Sequence, residues 1–395
     1  MGDTNKTELR IGVIGYGGRA SGILGMLVEV DPSVRVAAVA DLRAEMIKAK
    51  NHKLLAGAVF YPGADDLLAD GPYDGLLIGT NDHTHAGLAC RVARTGIPLY
   101  LEKPVATDFD QARMLTEAEP AFKAPVVVSF PLRLSPLVTR TRELILGGTI
   151  GRIENVVAFN DVPYGADSYF ASWYRDPAKG SGLFLQKATH DLDYLAFIVD
   201  SPARWICAMK CQRVFGGRAD RPFDLLCKEC DEKESCPESP FNENSMIPPD
   251  ARKHWRESRR CLFSKGITNE DSGMCLVEYE NGVQASYTQN FYARGKSARR
   301  GARIHGYKGT IEFDWYTGRI TVMKHDRPDA ETIDMAGDEA HFGGDPELCR
   351  EFAAIMKGKK DSRSPLRAGI ASALTGLCAI ESAEKRRFCE VKLPA

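Results

Sequence analysis

The sequence has no long apolar run and no excess of charge of either sign. No hydrophobic stretch approaches the roughly 20 residues that a membrane-spanning helix needs. The 52 basic and 53 acidic side chains leave a formal net charge of -1, whereas nucleic-acid-binding domains usually carry a strong basic excess. We therefore expect neither a membrane nor a nucleic acid among the partners of this protein.

The N-terminus also lacks the features of a secretion signal. Its first eight residues are polar or charged, with no apolar core and no twin arginine. We therefore expect a cytoplasmic protein with reduced thiols. Eleven cysteines are many for such a protein, and because their number is odd, metal binding is a better hypothesis than a disulfide framework.

A glycine-rich turn follows the first apolar segment, Leu9–Ile14, and precedes apolar residues at helical spacing. This strand, turn and helix fit the Gly-x-Gly-x-x-Ala pattern of dinucleotide-binding folds. Gly15 permits the tight turn, Gly17 lets the backbone approach a pyrophosphate, and Ala20 lets the helix pack on its strand. The free N–H groups of the helix then face the phosphates. The predicted cofactor contacts of this turn are Gly15, Tyr16, Gly17, Gly18, Arg19 and Ala20.

The second apolar segment, Val34–Ala40, ends in Asp41. A carboxylate at this strand end binds the ribose diol of NAD and repels the 2′-phosphate of NADP. Arg43 weakens the preference, because an arginine can hold that phosphate. We predict NAD as the cofactor, with NADP less favoured, and assign both residues to its site.

Strands and helices continue to alternate up to about residue 128, which predicts a parallel, doubly wound α/β sheet. Ligands of such sheets bind beyond the carboxyl ends of the strands. Two polar clusters lie at predicted strand ends, one after Leu76–Ile78 and one after Ile97–Leu101. From them we assign to the cofactor site Thr80, Asn81, His83, His85, Glu102 and Lys103.

At these residues the chain resembles the glucose–fructose oxidoreductase, inositol dehydrogenase and rhizopine-catabolism family, Gfo/Idh/MocA. The glycine turn, Thr80–His85, Glu102-Lys103-Pro104 and the later segment Lys187–Asp193 match it in order and spacing. The resemblance implies an NAD-binding Rossmann domain at 1–129. It also implies a substrate-binding and oligomerisation domain at 130–395, an α+β domain with an open, mostly antiparallel sheet that forms homodimers or homotetramers. The Lys103–Pro104 bond is often cis in such proteins.

The resemblance also implies the chemistry, in which Lys103 and His190 act at the reacting oxygen. Alcohol oxidation needs a base for the hydroxyl proton and a donor that stabilises the developing alkoxide. Relatives similar to inositol dehydrogenase carry an aspartate four residues before the histidine, where this chain has Gln186. Three alternatives remain open: Lys187 takes part, an acid comes from elsewhere, or His190 works without that partner.

The expected substrate is a sugar, polyol, inositol or sugar derivative. Aromatic rings suit the C–H faces of sugars, and arginines suit hydroxyl or acid groups. Several cations among the candidates would favour an anionic substrate if they converge. The candidate substrate contacts are Lys103, Arg133, Trp173, Tyr174, Arg175, Gln186, Lys187 and His190.

Residues 213–272 read as an insertion in the second domain, because this stretch is charged, rich in proline and weakly periodic. It contains Cys227, Cys230, Cys236 and Cys261. Four thiolates could hold a structural zinc ion tetrahedrally. The alternative is a set of unliganded cysteines in a loop.

Three functions fit these features. The leading hypothesis is an NAD-dependent dehydrogenase that acts on a carbohydrate C–OH group. The alternative is an NAD-dependent glycosidase that oxidises a hydroxyl transiently, eliminates the aglycone, hydrates the product and returns the hydride. A regulatory protein that only binds the dinucleotide is the third, although the presence of both Lys103 and His190 argues against it.

Replacement of Asp41 tests the cofactor preference. In Asp41→Ala, NAD should bind about 10-fold more weakly relative to NADP, because the charged acceptor for the ribose hydroxyls is lost. Fluorescence titration with both dinucleotides measures the ratio. An unchanged preference would show that Asp41 is not the ribose ligand.

Overall fold

The computed structural model describes residues 8–178, 180–335 and 340–393, so the polar N-terminal segment 1–7 lies outside them. They form two β-sheets with helices packed against both. No helix within these ranges is both long and apolar enough to cross a membrane.

The first sheet consists of six parallel strands. They are β1 (Leu9–Ile14), β2 (Val34–Ala40), β3 (Val59–Tyr61), β4 (Gly75–Ile78), β5 (Leu99–Leu101) and β6 (Val126–Val128). Their order across the sheet is β3-β2-β1-β4-β5-β6, which confirms the predicted doubly wound topology. The strands read as continuous apolar runs because helices bury both faces. Sequence reasoning missed β3, whose residues are exposed or half-buried at the sheet edge.

Five helices accompany this sheet: α1 (Gly18–Val30), α2 (Ala44–Ala49), α3 (Ala64–Asp70), α4 (His85–Val92) and α5 (Phe109–Ala118). In α1, Ala20, Ile23, Leu24 and Leu27 are buried, which is the spacing of one helix face. Because α1 starts within the glycine turn, the packing of this face against the sheet fixes the position of the turn.

The second sheet has nine strands and is mostly antiparallel, as predicted. They are β7 (Ile153–Asp161), β8 (Ala203–Cys211), β9 (Ser272–Tyr279), β10 (Gln284–Asn290), β11 (Arg299–Gly306), β12 (Gly309–Asp314), β13 (Arg319–Lys324), β14 (Ala330–Asp334) and β15 (Cys389–Glu390). Their order is β14-β13-β12-β11-β7-β10-β9-β8-β15, and within the described strands of this second sheet only the β7–β10 pair is parallel.

Six further helices belong to the second half of the chain: α6 (Pro136–Leu146), α7 (Leu183–Gln186), α8 (Ala188–Val199), α9 (Pro249–Trp255), α10 (Gly344–Met356) and α11 (Leu366–Lys385). Leu348 and Phe352 of α10 are buried in the core beneath the first sheet, and α11 contributes Ile370 and Leu377 to its other side. The C-terminal helices therefore complete the core of the first sheet, and a domain division at residue 129 stays a prediction.

The glycine-rich segment Gly180–Gly182 leads into a helix, not into a strand as its composition suggested. Gly182 adopts a φ of +76°, and α7 starts at the next residue. The buried carboxylate of Glu270 accepts hydrogen bonds from the N–H groups of Leu183 and Phe184, both at 2.8 Å. A distant acid therefore caps this helix, which no local pattern could reveal.

The insertion predicted at 213–272 is the connection between the antiparallel neighbours β8 and β9. Asp271 Oδ2 accepts three successive backbone N–H groups, from Arg213, Val214 and Phe215. Apolar residues of the insertion, including Phe215 and Leu262, are buried against the segment that follows β7. The insertion is thus packed on the second domain and shares a hydrophobic cluster with residues 162–171.

Candidate functional site

The glycine turn forms an open backbone surface at the carboxyl edge of the first sheet. Gly15 has a φ of +83°, and a Cβ there would lie 2.6 Å from Thr80 Cγ2, so only glycine fits. Above Gly18, by contrast, a Cβ would meet nothing within 4 Å. Helix α1 begins here without a side-chain cap, so its first N–H groups remain free for an anion. These features fit the pyrophosphate of a dinucleotide.

The Asp41 carboxylate holds the same turn in place. It accepts hydrogen bonds from the backbone N–H of Tyr16 at 2.9 Å and from that of Arg43 at 2.8 Å, and Arg43 Nε lies 3.2 Å away. Burial alone raises the pKa of Asp41, but the bonds from Arg43 and Tyr16 outweigh burial and lower it. The side chain is therefore a charged acceptor at the strand end where ribose hydroxyls bind.

Arg19 has a different role from the cofactor contact that we predicted. Its guanidinium lies between two acids, with Nε 3.0 Å from Glu102 Oε1 and Nη2 2.6 Å from Asp345 Oδ1. It also donates to Ser129 Oγ. Arg19 therefore joins α1 to the end of β5 and to α10, and its charge is already neutralised.

The cluster after β4 divides into exposed and buried side chains. Asn81 and His83 are exposed, and Thr80 Oγ1 lies 2.6 Å from the hydroxyl of Thr84. His85 is buried, with Nδ1 2.8 Å from the carbonyl of Pro104 and Nε2 3.2 Å from that of Thr80. His85 thus supports the loop that carries Lys103.

Lys103 connects the two halves of the site. The Lys103–Pro104 bond is cis, as the resemblance implied. Lys103 Nζ donates a 2.9 Å hydrogen bond to the carbonyl of Gln186 at the end of α7. Burial lowers the pKa of Lys103, although the negative charges of Asp82 and Glu102 oppose that shift. The amine is thus held at the junction between the sheets.

His190 lies in the first turn of α8, close to that junction. The residue is 6% exposed, and its buried Nδ1 has no hydrogen-bond partner in the described part of the chain. Burial, reinforced by the charge of Lys103, lowers the pKa of His190 well below its usual value. The imidazole is therefore neutral at pH 7 and has a nitrogen free to accept a proton.

Gln186 stands where relatives similar to inositol dehydrogenase carry an aspartate, and two ionisable side chains lie next to it. Gln186 Nε2 donates to Asp82 Oδ2, so a buried acid from the loop after β4 lies against the glutamine. Lys187 is buried as well, and its Nζ donates to the hydroxyl of Tyr164 at 2.5 Å. Both an acid from elsewhere and Lys187 are therefore present beside Lys103 and His190.

The predicted substrate arginines are engaged elsewhere. Arg133 forms a buried, bidentate ion pair with Asp193, at 2.6 and 3.0 Å. Arg175 is buried, donates to the carbonyl of Phe223 and stacks on its ring. Trp173 is 40% exposed and stacks on Tyr174 with 3.8 Å between ring centroids. Of the predicted substrate cations, Arg133 alone is paired with an acid in the described residues, and Lys187 is bonded to the hydroxyl of Tyr164.

The four cysteines of the insertion line one small cavity, of about 20 Å³. Backbone bonds from Cys227 to Arg259 and from Cys261 to Leu225, both 2.8 Å, hold the two buried thiols on paired segments. Their arrangement is not yet that of a metal centre, because no three or more His, Cys, Asp or Glu side chains within the described ranges are grouped to hold an ion.

Two family profiles match this chain over most of its length. Residues 9–130 match the oxidoreductase family with an NAD-binding Rossmann fold, and residues 138–312 match the GFO/IDH/MocA C-terminal domain. The chain belongs to the Gfo/Idh/MocA family. It is therefore an NAD(P)-dependent oxidoreductase, and the matched NAD-binding domain includes the glycine turn described above.

Similar proteins of this family have several activities. The Bacillus subtilis protein YteT is 26% identical over 318 residues, covering 73% of this chain and 74% of its own. Inositol 2-dehydrogenase of Rubrobacter xylanophilus is 27% identical over 220 residues, covering 54% and 56%. A solved levoglucosan dehydrogenase, in complex with NADH and levoglucosan, shares the fold with a TM-score of 0.73 at 18% identity, covering 97% and 99%.

Sequence reasoning left four side chains of this Gfo/Idh/MocA site unassigned. Asp82 stands inside the Thr80–His85 cluster, so its position carried a usable signal. Tyr164, Glu270 and His341 lie in irregular segments, and each of them contacts at least one residue that is far away in sequence. His341, for example, has its ring 5.8 Å from that of His190 and its Nδ1 2.6 Å from Asp345 Oδ2.

The neutral state of His190 predicts a pH-dependent stability. Because its pKa is depressed in the folded protein, the unfolded chain binds a proton that the folded protein does not, once the pH falls below about 6.5. The free energy of unfolding should therefore decline toward pH 5 by up to about 1.4 kcal/mol per pH unit on account of this group. In His190→Gln that component should vanish.

Urea unfolding at several pH values measures this slope. His325→Gln, which changes an exposed histidine, is the matched control and should keep the wild-type slope. Identical slopes for wild type and His190→Gln would show that the imidazole is not held neutral.

Proposed function

We propose that this oxidoreductase transfers a hydride between NAD and the C–OH carbon of a sugar, polyol, inositol or sugar derivative. The observation that carries the proposal concerns the short segment from Gln186 to His190. Lys103 contacts its first residue, and His190 is its last residue. Lys103 Nζ donates to the Gln186 carbonyl, and His190, four residues after Gln186, has a buried Nδ1 with no hydrogen-bond partner in the described structure. The names of the inositol and levoglucosan dehydrogenases support the substrate class.

Each residue has one role in this proposal. The glycine turn would hold NAD, which would supply the hydride acceptor. The Lys103 ammonium stabilises the negative charge that develops on the oxygen. The neutral His190 takes the hydroxyl proton, so one C–H bond and one O–H bond break as the carbonyl forms. Asp82 orients Gln186, which in turn positions Lys103 through its carbonyl.

Removal of the Lys103 amine tests this mechanism. Lys103→Ala should lower kcat by at least about 100-fold, because the charge at the reacting oxygen is lost. NAD affinity should change little. Steady-state NADH production and NAD titration measure the two effects, with Lys48→Ala on the exposed face of α2 as the control. If Lys103→Ala kept full activity, the proposed mechanism would be wrong. Glycoside cleavage by the wild-type protein without net NADH production would favour the glycosidase alternative.

We also propose a homo-oligomer assembled through the open face of the second sheet. Met209 and Met274 are paired across β8 and β9, and both are more than half exposed. Leu276, two residues along β9, is 56% exposed on the same side. A contiguous apolar surface of this kind is typical of subunit contacts. It supports a homodimer or homotetramer.

A third proposal is that the insertion binds structural zinc. Four thiols around one cavity are a zinc donor set, and binding would draw them into closer contact. Such an ion would stabilise a segment that has few apolar residues.

Metal analysis tests the zinc proposal. Purified protein should contain about one zinc per chain. Cys227→Ser and Cys261→Ser should lower both the zinc content and the Tm, whereas Cys90→Ser, outside the insertion, should change neither. Metal-free protein with an unchanged Tm would contradict the proposal.

A further inference from the structure

Lys187 is a buried cation in the candidate site. It lies between α7 and α8, and the residue is only 4% exposed. Its Nζ donates to the Tyr164 hydroxyl at 2.5 Å, and Tyr164 itself is 43% exposed. The pair therefore extends from the interior to the solvent-accessible surface beside the turn that carries His190.

The Lys187 ammonium has no carboxylate partner within the ranges that the structure describes. The nearest acid in sequence, Asp191, accepts a bidentate pair from Arg300 at 2.9 and 3.0 Å, together with bonds from Asn160 and Tyr287. Its charge is neutralised by that arginine.

The other buried acids of the site are also engaged. Asp82 contacts Gln186 and faces the Lys103 ammonium, and Asp345 is paired with Arg19. Glu102 also lies against Arg19, so none of these buried acids contacts the Lys187 ammonium directly.

An uncompensated buried ammonium is costly, and proteins rarely retain one without an anion. Burial lowers the pKa of Lys187, and the charge of Arg300 adds to that effect. Helix α8 increases the positive potential, because it starts at Lys187 without a side-chain hydrogen bond to its cap. The charges of Tyr164 and Asp191 oppose this shift, but in the described residues the ammonium has no directly contacting carboxylate.

We propose that Lys187 and Tyr164 bind a carboxylate of the substrate, so that the substrates of this enzyme are sugar acids in preference to neutral sugars or polyols. The inference rests on the proposed function, because the carboxylate belongs to the same ligand whose hydroxyl lies at Lys103 and His190. The ammonium pairs with the carboxylate, and the phenolic O–H donates a second hydrogen bond to it.

Paired substrates test this specificity. In the presence of NAD, hexuronates and aldonates should be oxidised with kcat/KM at least about 10-fold above that of the matching hexoses and alditols. Lys187→Met should lower kcat/KM for the acids about 10- to 100-fold, mainly through KM, and so abolish the preference for acids over neutral sugars. Lys385→Met, at an exposed lysine of α11, is the matched control.

A binding measurement gives a readout without turnover. Calorimetric titration of the NAD-loaded protein with a hexuronate should show affinity that Lys187→Met loses and Lys385→Met keeps. If wild type oxidised acids and neutral sugars with equal kcat/KM, and Lys187→Met changed neither value, the inference would be overturned while the proposed function would stand. Failure of both substrate groups to reduce NAD would instead overturn the proposed function.

The competing source of the negative charge is Tyr164 itself. Burial raises the pKa of this phenol, but the charges of Lys187 and Arg300 outweigh burial and lower it, with Asp191 opposing them. Ultraviolet titration of wild type and Tyr164→Phe isolates its ionisation from that of the other twelve tyrosines. We expect a protonated phenol at neutral pH. A tyrosinate signal at pH 7 that disappears in Tyr164→Phe would make the phenolate the counterion and overturn the carboxylate subsite.

Discussion

The hydrogen bond from Lys103 Nζ to the Gln186 carbonyl joins a loop of the first sheet to a helix end of the second. Everything else in the site is arranged around this contact. His85 supports the Lys103–Pro104 segment from one side, and the Glu270 carboxylate caps the helix that ends in Gln186 on the other. The reacting groups are therefore placed by two independent scaffolds, so a small shift of either one moves the amine relative to the imidazole.

The cations in and around the site differ in whether they are paired with an acid. Arg19 and Arg133 are bound to remote acids, 326 and 60 residues away in sequence, so neither contributes a free charge. Arg300 is likewise held by Asp191. These pairs are structural, and the cost of burying them is offset by bidentate geometry. Lys103 and Lys187, which are the cations of the proposed mechanism and substrate subsite, have no such ion pair in the described residues and so differ from these three arginines.

The sequence was sufficient for the fold and the dinucleotide site because both depend on local patterns. The glycine turn, Asp41 and the apolar strands are contiguous motifs whose geometry follows from a few residues. The roles of Arg19, Arg133 and Glu270 depend on partners far along the chain, and no spacing rule reveals which acid meets which base. Tyr164 was missed for the same reason: it follows β7 in an irregular turn and gains its significance only from the amine of Lys187 beside it.

A crystal structure of the protein with NAD and a bound sugar ligand tests the central claim most directly. The account predicts one ligand oxygen within hydrogen-bonding distance of both Lys103 Nζ and the His190 ring, with the carbon that bears it facing the nicotinamide. A complex in which every ligand oxygen lies away from these two side chains, or in which the dinucleotide lies away from the glycine turn, would contradict it.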